Sequence, residues 1–424
     1  MATDVDVQFF SHLNGLTLGN NWGDLIRLLD KALVTGINFT QITAASIDTQ
    51  GDVHITLYAA HNAVLFQVVE LSGFAPTSLN QKYRIKGVPS ATELILKSHT
   101  AITETNITTV GSGKLASLGY EIIFRDTNDV KRVYRAKNPT TQHPFIRVDE
   151  SLSSNAGSYT STYIKSAMVG LLEHMDHIDD FENPDVLQLP FDPADPAKNW
   201  KVIGTGTNVQ RGWSLWHWSW SVSPIYNINA TSGGSAGNRS FTICGDRDAF
   251  YFNVATSPSV PGARFMYGCG MFDSSLPSEV IPNWFLATTL ALRKASDGHA
   301  VSNLQGGVAF GLSDNPSRFF TTKYNPTTPL VEHVSALPIV PDYQSGRSGF
   351  AGAGVASSLN IPFKDANNYL RGTLKHIAYN AKSETINTTT PRIAEKYLYV
   401  LDTLQTSTAE SGNGSVMYYL GELE

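Results

Sequence analysis

The sequence predicts a mainly β protein with a few helices, an α+β chain of several domains built from β-sandwich-like units. Three observations carry that expectation. Short alternating apolar runs bounded by Gly, Pro and Asn recur along most of the chain, the pattern of strands joined by turns. Only 16% of residues are charged, whereas 42% are hydrophobic and 10% aromatic, a balance that suits β-rich structure with large contact surfaces. At 424 residues the chain has room for two or three cores.

The first element is a helix. In WGDLIRLLDKALVTG the apolar residues Leu25, Ile26, Leu28, Leu29, Ala32 and Leu33 fall on one helical stripe, Asp24 is available to the first turn and Gly36 ends the run. From about Thr40 to Val110 the period changes to two, in GDVHITLYA, AVLFQVVEL, KYRIKGV and TELILKS. This reads as a small β unit, 41–110, inserted into an N-terminal α+β domain made of 1–40 and 111–182. LGYEIIFRDTNDVKRVYRAKN and PFIRVDES add three strands, with Asn128 and Asp129 as a hairpin turn.

STYIKSAMVGLLEHM places Ile164, Ala167, Met168, Leu171, Leu172 and Met175 on a helical face. A helix is the expectation, although the β-branched and Gly content also permits a strand. Pro184, Pro190, Pro193 and Pro196 then break any regular element, so 183–200 is expected to be a linker or an extended surface crossing. Beyond it, 201–424 reads as a β-rich C-terminal domain, with strands in GWSLWHWSWSVS, RSFTICGDRDAFYFNVA, ARFMYGCGMF, GGVAFGLS, EKYLYVLDT and SVMYYLGEL.

Lys and Arg total 31 against 37 Asp and Glu, a formal charge of -6 without a basic block, which argues against nucleic-acid binding. The first residues have neither a basic n-region nor an apolar run, and no stretch approaches the ~20 apolar residues of a membrane-spanning helix. Synthesis in the cytoplasm without membrane insertion is expected. Cys244 and Cys269, lacking a C-x-x-C partner or adjacent His cluster, are expected to be buried free thiols rather than a disulfide.

Three clusters are candidate sites. GLLEHMDHIDDFE holds His174 and His177 at i+3 with Asp176, Asp179 and Asp180 nearby; without a second ligand cluster it reads as a solvated polar face, and no metal or other cofactor is expected. Trp216, Trp218 and Trp220 alternate, so on a strand they share one face while Leu215, His217 and Ser219 take the other. Such a row, with Trp213 beside it, serves a core between sheets, a subunit seam or, if exposed, a platform for sugar rings. CGDRDAFYF sets Asp246, Arg247 and Asp248 before an aromatic strand: an Asp-stabilised turn with Arg247 paired to one carboxylate, or, with Asp273, the acid and base of a glycosidase.

The order of several motifs carries a resemblance: L-I-x-L-L-D-x-A-L-V-x-G from Leu25, L-S-G-F from Leu71 and L-N-Q-K-Y-R-I from Leu79, then R-V-Y-R-A from Arg132, F-I-R-V-D-E from Phe145, G-D-R-D-A-F-Y-F from Gly245 and Y-G-C-G-M-F-D-S from Tyr267. Over residues 9 to 275 this order resembles a family of tailed-bacteriophage virion structural proteins, uncharacterised components of the head, neck or tail. The resemblance implies a non-enzymatic protein that assembles in several copies with other virion proteins, in a capsid, head-tail connector, tail or baseplate. On that reading the interface anchors are Trp213, Trp216, Trp218, Trp220, Tyr251 and Phe252. Two alternatives stand beside it: a tail protein that recognises host glycan through the Trp row, and a polysaccharide depolymerase using Asp246, Asp248 or Asp273.

Overall fold

The computed structural model describes residues 5–152, 164–203, 210–219, 234–255, 257–262, 264–274, 282–290, 304–305, 319–322, 333–338, 358–360, 362–380, 389–404 and 414–422. These residues are mostly strand, arranged in four large antiparallel sheets of seven, eight, nine and five strands.

The predicted helix forms, as an α-helix over Asp24–Leu29 that loosens into a π-helical turn over Asp30–Thr35. Its apolar stripe, Leu25 through Leu33, is buried. The N-terminus is closed from outside: the Glu150 carboxylate accepts from the backbone N–H of Gly23 and, at 2.8 Å, of Ile26, satisfying donors that a helix leaves orphaned. Gly36 ends it at a positive φ of 70°, where a Cβ would lie 2.1 Å from the Leu115 carbonyl oxygen, so only glycine fits.

All four predicted runs lie in one seven-stranded sheet, extended by Ile37–Asn38, Ile42–Ile47 and Ser112–Leu115. Buried Gln8 ties the N-terminal strand to it by donating to the carbonyls of Val68 and Ala116, both at 2.8 Å. The predicted hairpin after it is present: Tyr120–Arg125 pairs with Lys131–Ala136. Asp129 adopts φ 60° in the turn, and Asp126 accepts from the N–H groups of Val130 and Lys131.

Two expectations are corrected. The segment expected to be helical is the strand Lys165–Leu172, with all eight residues buried. It lies between Phe145–Asp149 and Ser214–Ser219 in the eight-stranded sheet. Ala167, Val169 and Leu171 enter one apolar cluster while Met168 and Leu172 enter another; a strand covered on both faces loses its alternation, and the remaining apolar run imitated a helix. The proline-rich segment is also not a free linker. Gln188–Leu189 pairs with Leu171 and Leu172 at the sheet's margin, and Leu187, Leu189, Phe191 and Trp200 are buried. Its prolines keep the strand short, as edge positions allow.

Strand pairing crosses residue 200 repeatedly. Gln8–Ser11 pairs with Phe241–Gly245 in the nine-stranded sheet, and the eight-stranded sheet joins 120–172 to Ser214–Ser219 and Thr289–Leu290.

The nine-stranded sheet is the middle layer. From its strand Ala249–Ala255, Phe250, Phe252 and Val254 meet the cluster that holds Trp216 and Trp218 of the eight-stranded sheet. Tyr251 on the other face meets Leu398, Val400, Val416 and Tyr418 of the five-stranded sheet. The same sheet curls: Leu370–Leu374 pairs with Pro362–Asp365 and also returns to Phe272 and Asp273, closing six strands into a ring. Phe319 and Phe363, from strands that are not hydrogen-bonded neighbours, touch at 4.7 Å, and Phe272 and Phe285 join them, so these four rings fill the ring's interior.

Candidate functional site

The aromatic candidates are interior. Trp216 and Trp218 are 0% exposed and Trp213 is 5% exposed. Trp216 stacks on Tyr267 at 6.0 Å, meets Phe250 and Phe252, and donates its indole N–H to the Ala287 carbonyl at 3.1 Å. Trp218 sits edge-on to Trp22, and Trp213 lies under the Lys198 ammonium at 4.2 Å. Tyr251 stacks on Phe285, and Phe252 is sealed beside Trp216. These rings join the chain's own sheets, so neither sugar stacking nor a subunit seam is open to them; Trp220 lies outside the described residues. The alternation itself is as read, since Leu215 enters the opposite cluster. Burial, then the charge of Arg211, pushes the His217 pKa down to about 3.

The His and Asp run has left the sheet and is divided among separate partners. His174 pairs with Asp176 at 2.9 Å with both side chains exposed. Asp179 is claimed by Lys131 and Arg147, and Asp180 accepts from the Asp176 N–H. Among the described residues no group of three or more His, Cys, Asp or Glu is placed to hold a metal.

The Asp246–Asp248 turn is where distant segments converge. Asp246 accepts from the backbone N–H of Asp248 at 2.8 Å and of Ala249 at 3.1 Å, the predicted Asp-stabilised turn. Arg247 is exposed and 4.0 Å from Asp248, a surface pair worth little. The stronger partners come from far along the chain. Asp248 binds His143 Nε2 at 2.7 Å and Lys375 Nζ at 2.5 Å, and Asp246 binds His376 Nε2 at 2.8 Å. The Thr140 amide donates to His143 Nδ1 at 2.9 Å, so the imidazole carries its proton on Nε2 and donates it to Asp248. That hydrogen bond first, and the Lys375 ammonium with it, overcome burial and hold the Asp248 pKa far below the carboxylate range. For Asp246, burial opposes ionisation, yet the His376 hydrogen bond and charge and the Asp248 amide prevail, and its pKa is also lowered. Tyr251 completes the junction by donating to the Lys375 carbonyl at 2.8 Å.

Lys375 and His376 form a two-residue turn between a strand of the closed ring, Leu370–Leu374, and Ile377–Asn380 of the five-stranded sheet. His376 holds a left-handed φ of 60°, uncommon for a residue with a Cβ and stable only when its surroundings impose it. The Asp246 contact does so.

This turn lines a surface cleft of about 590 Å³, with Asp273, Asn360 and Thr373 on its rim and Tyr397, Tyr399 and Tyr419 beside it. On Tyr397–Leu404 the residues Leu398 and Val400 are buried while Tyr397 and Tyr399 are partly exposed, so period two sorts the rings outward. Tyr399 lies directly opposite Tyr419 of the neighbouring strand, with ring centroids 5.6 Å apart, and Tyr397 is 6.2 Å from Tyr419. Asp273 is the one carboxylate among the described lining residues; Asp246 and Asp248 stand behind the turn.

The sequence pointed to Asp246, Asp248 and Asp273 but missed His143, Lys375, His376 and the three tyrosines. The alternation in KYLYV was visible; a partner 130 positions away, as Asp246 is from His376, leaves no local signal.

Fold and site together describe a mainly β protein of several stacked sheets with an aromatic surface cleft at the seam of two of them. No family model matches the chain, and no curated protein matches it. Among solved structures, the phage phi92 endosialidase is similar at 8% identity and a TM-score of 0.13, the match spanning 92% of this chain and 51% of that one. The chain therefore spans about half the length of that protein, and a TM-score of that size is no basis for a shared fold or activity.

Proposed function

We propose that the chain is a structural component of a tailed-bacteriophage virion, assembling with other head, neck or tail proteins and with copies of itself. The observation that carries this reading is the order of the resembling motifs over residues 9 to 275, joined to what their polar residues do. Glu150 closes the helix N-terminus, Arg132 binds Asp30, Arg147 binds Asp149, and Asp246 forms a turn. All are internal ties, which supports motifs kept for a scaffold rather than for a reaction. With Trp213, Trp216, Trp218, Tyr251 and Phe252 spent on the interior, the contact surfaces of such an assembly would draw on residues other than these five.

Mass spectrometry of gradient-purified particles of the encoding phage tests the proposal, followed by gold-labelled antibody in electron microscopy. The chain is expected at a stoichiometric level with label at one fixed position. Synthesis in infected cells without incorporation into particles would refute it.

A further inference from the structure

We infer that the cleft at Tyr397, Tyr399 and Tyr419 is a saccharide site that takes a neutral pyranose unit of an oligosaccharide. This goes beyond the virion reading and does not depend on where in a particle the chain sits.

The three rings form a contiguous, partly exposed aromatic surface on the outer face of a sheet whose inner face is packed. Pyranose rings present apolar C–H faces and equatorial hydroxyls, and such a ligand needs aromatic faces beside a few fixed polar groups. Those groups line the same cleft: the exposed Asp273 carboxylate and Asn360 amide, the Thr373 hydroxyl and the His376 imidazole. The cleft volume of about 590 Å³ suits a small ligand, as binding pockets run to roughly 300–1,000 Å³.

Two features make the site preorganised and neutral-selective. His376 is held by Asp246 and Lys375 by Asp248, so the floor does not have to order itself on binding. Lys375 is the one Lys or Arg among the described lining residues, and its ammonium is already 2.5 Å from a carboxylate, while Lys396, whose ammonium lies 5.6 Å from the Tyr397 ring centroid, is paired with Glu422 at 3.0 Å. Asp273 adds negative charge, which disfavours sialylated, uronic or phosphorylated sugars. The single carboxylate among the described lining residues also fits binding without the paired acids of glycoside hydrolysis.

The test uses the full chain and two probes, an array of immobilised neutral and anionic oligosaccharides and saturation-transfer NMR with methyl glucoside, galactoside and mannoside. At least one neutral sugar is expected to bind saturably. Tyr399→Ala should weaken it about tenfold, Tyr419→Phe, which keeps the ring, should stay within about threefold, and Asp273→Asn should weaken it. Circular dichroism on each variant separates lost binding from lost folding, and a misfolded Tyr399→Ala hands the decision to Asp273→Asn. The inference is overturned by an empty neutral array, by preference for anionic glycans, by full binding in folded Tyr399→Ala, or by light scattering that shows the tyrosine face occupied by a second copy. None of these outcomes bears on incorporation into particles, so the two proposals fail separately.

Discussion

Breaking the ion pair between Arg264 and Asp402 should unseat the five-stranded sheet from the nine-stranded one. Both side chains are 0% exposed, and Arg264 Nη1 lies 2.6 Å from each Asp402 oxygen. Arg264 also donates to the Pro261 carbonyl at 3.0 Å, and Asp402 accepts from the Thr403 N–H at 2.8 Å. The pair thus bridges Arg264–Asp273 and Tyr397–Leu404, and beside it Asn253 of the strand Ala249–Ala255 donates to the Thr403 carbonyl. Asp402→Asn keeps the shape but leaves a guanidinium buried without its counter-charge, which costs about 3–5 kcal/mol. For a unit of roughly 150–250 residues that lowers the melting temperature by about 6–20 °C. Differential scanning calorimetry, with limited proteolysis to locate the early transition, measures it; several transitions are expected in a chain of this size. The double variant Arg264→Met with Asp402→Leu should recover most of the loss, since a well-packed apolar pair can replace a buried ion pair. If Asp402→Asn melts within about 2 °C of the parent, or if the double variant is worse than the single, the buried charge is not what joins these sheets.

Glu150 supplies a pH dependence of opposite sign to a surface carboxylate. Burial, outweighing the two amides that favour its ionised form, raises its pKa to about 8, so between its ordinary value and about 8 the folded chain binds more protons than the unfolded one. Stability therefore falls as pH rises through that window, by at most about 5 kcal/mol. Glu150→Gln should flatten the melting temperature between pH 5 and pH 8.5, and an unchanged slope would show that the carboxyl is not the source. Trp218→Ala should lower stability by about 3–5 kcal/mol while the protein that remains folded keeps its saccharide binding; loss of binding in a folded variant would restore the tryptophan row as a ligand surface. Cys244 and Cys269 are free and buried, their thiol pKa values raised by burial, so neither should react with an aromatic disulfide reagent until urea unfolds the chain. They cannot pair, because Cys244 lies beside Tyr251 and Cys269 beside Phe250 on opposite sides of the strand between them.

Wherever one face of an element met solvent or a loop, its period was readable. The stripe from Leu25 to Leu33, the runs between Thr40 and Val110 and the hairpin at Asp129 all follow from local sequence, because each side chain's direction is set by its own backbone geometry. Lys165–Leu172 was misread because burial on both faces erased that alternation, and Gln188–Leu189 because prolines conceal a short edge strand. Whether the tryptophans would be covered was a separate matter. Alternation assigns Trp216 and Trp218 to one face, yet only the stacking of the nine-stranded sheet on that face made it an interior. The cleft depended still more on tertiary structure. Its turn is held by Asp246 and Asp248 from some 130 residues earlier in the chain, and its tyrosines face outward only because the other side of their sheet is packed. Where one face stayed polar, local sequence determined which residues are strand and which face each side chain takes; chain-distant pairing decided which faces are covered, since burial is a property of two surfaces and not of one segment.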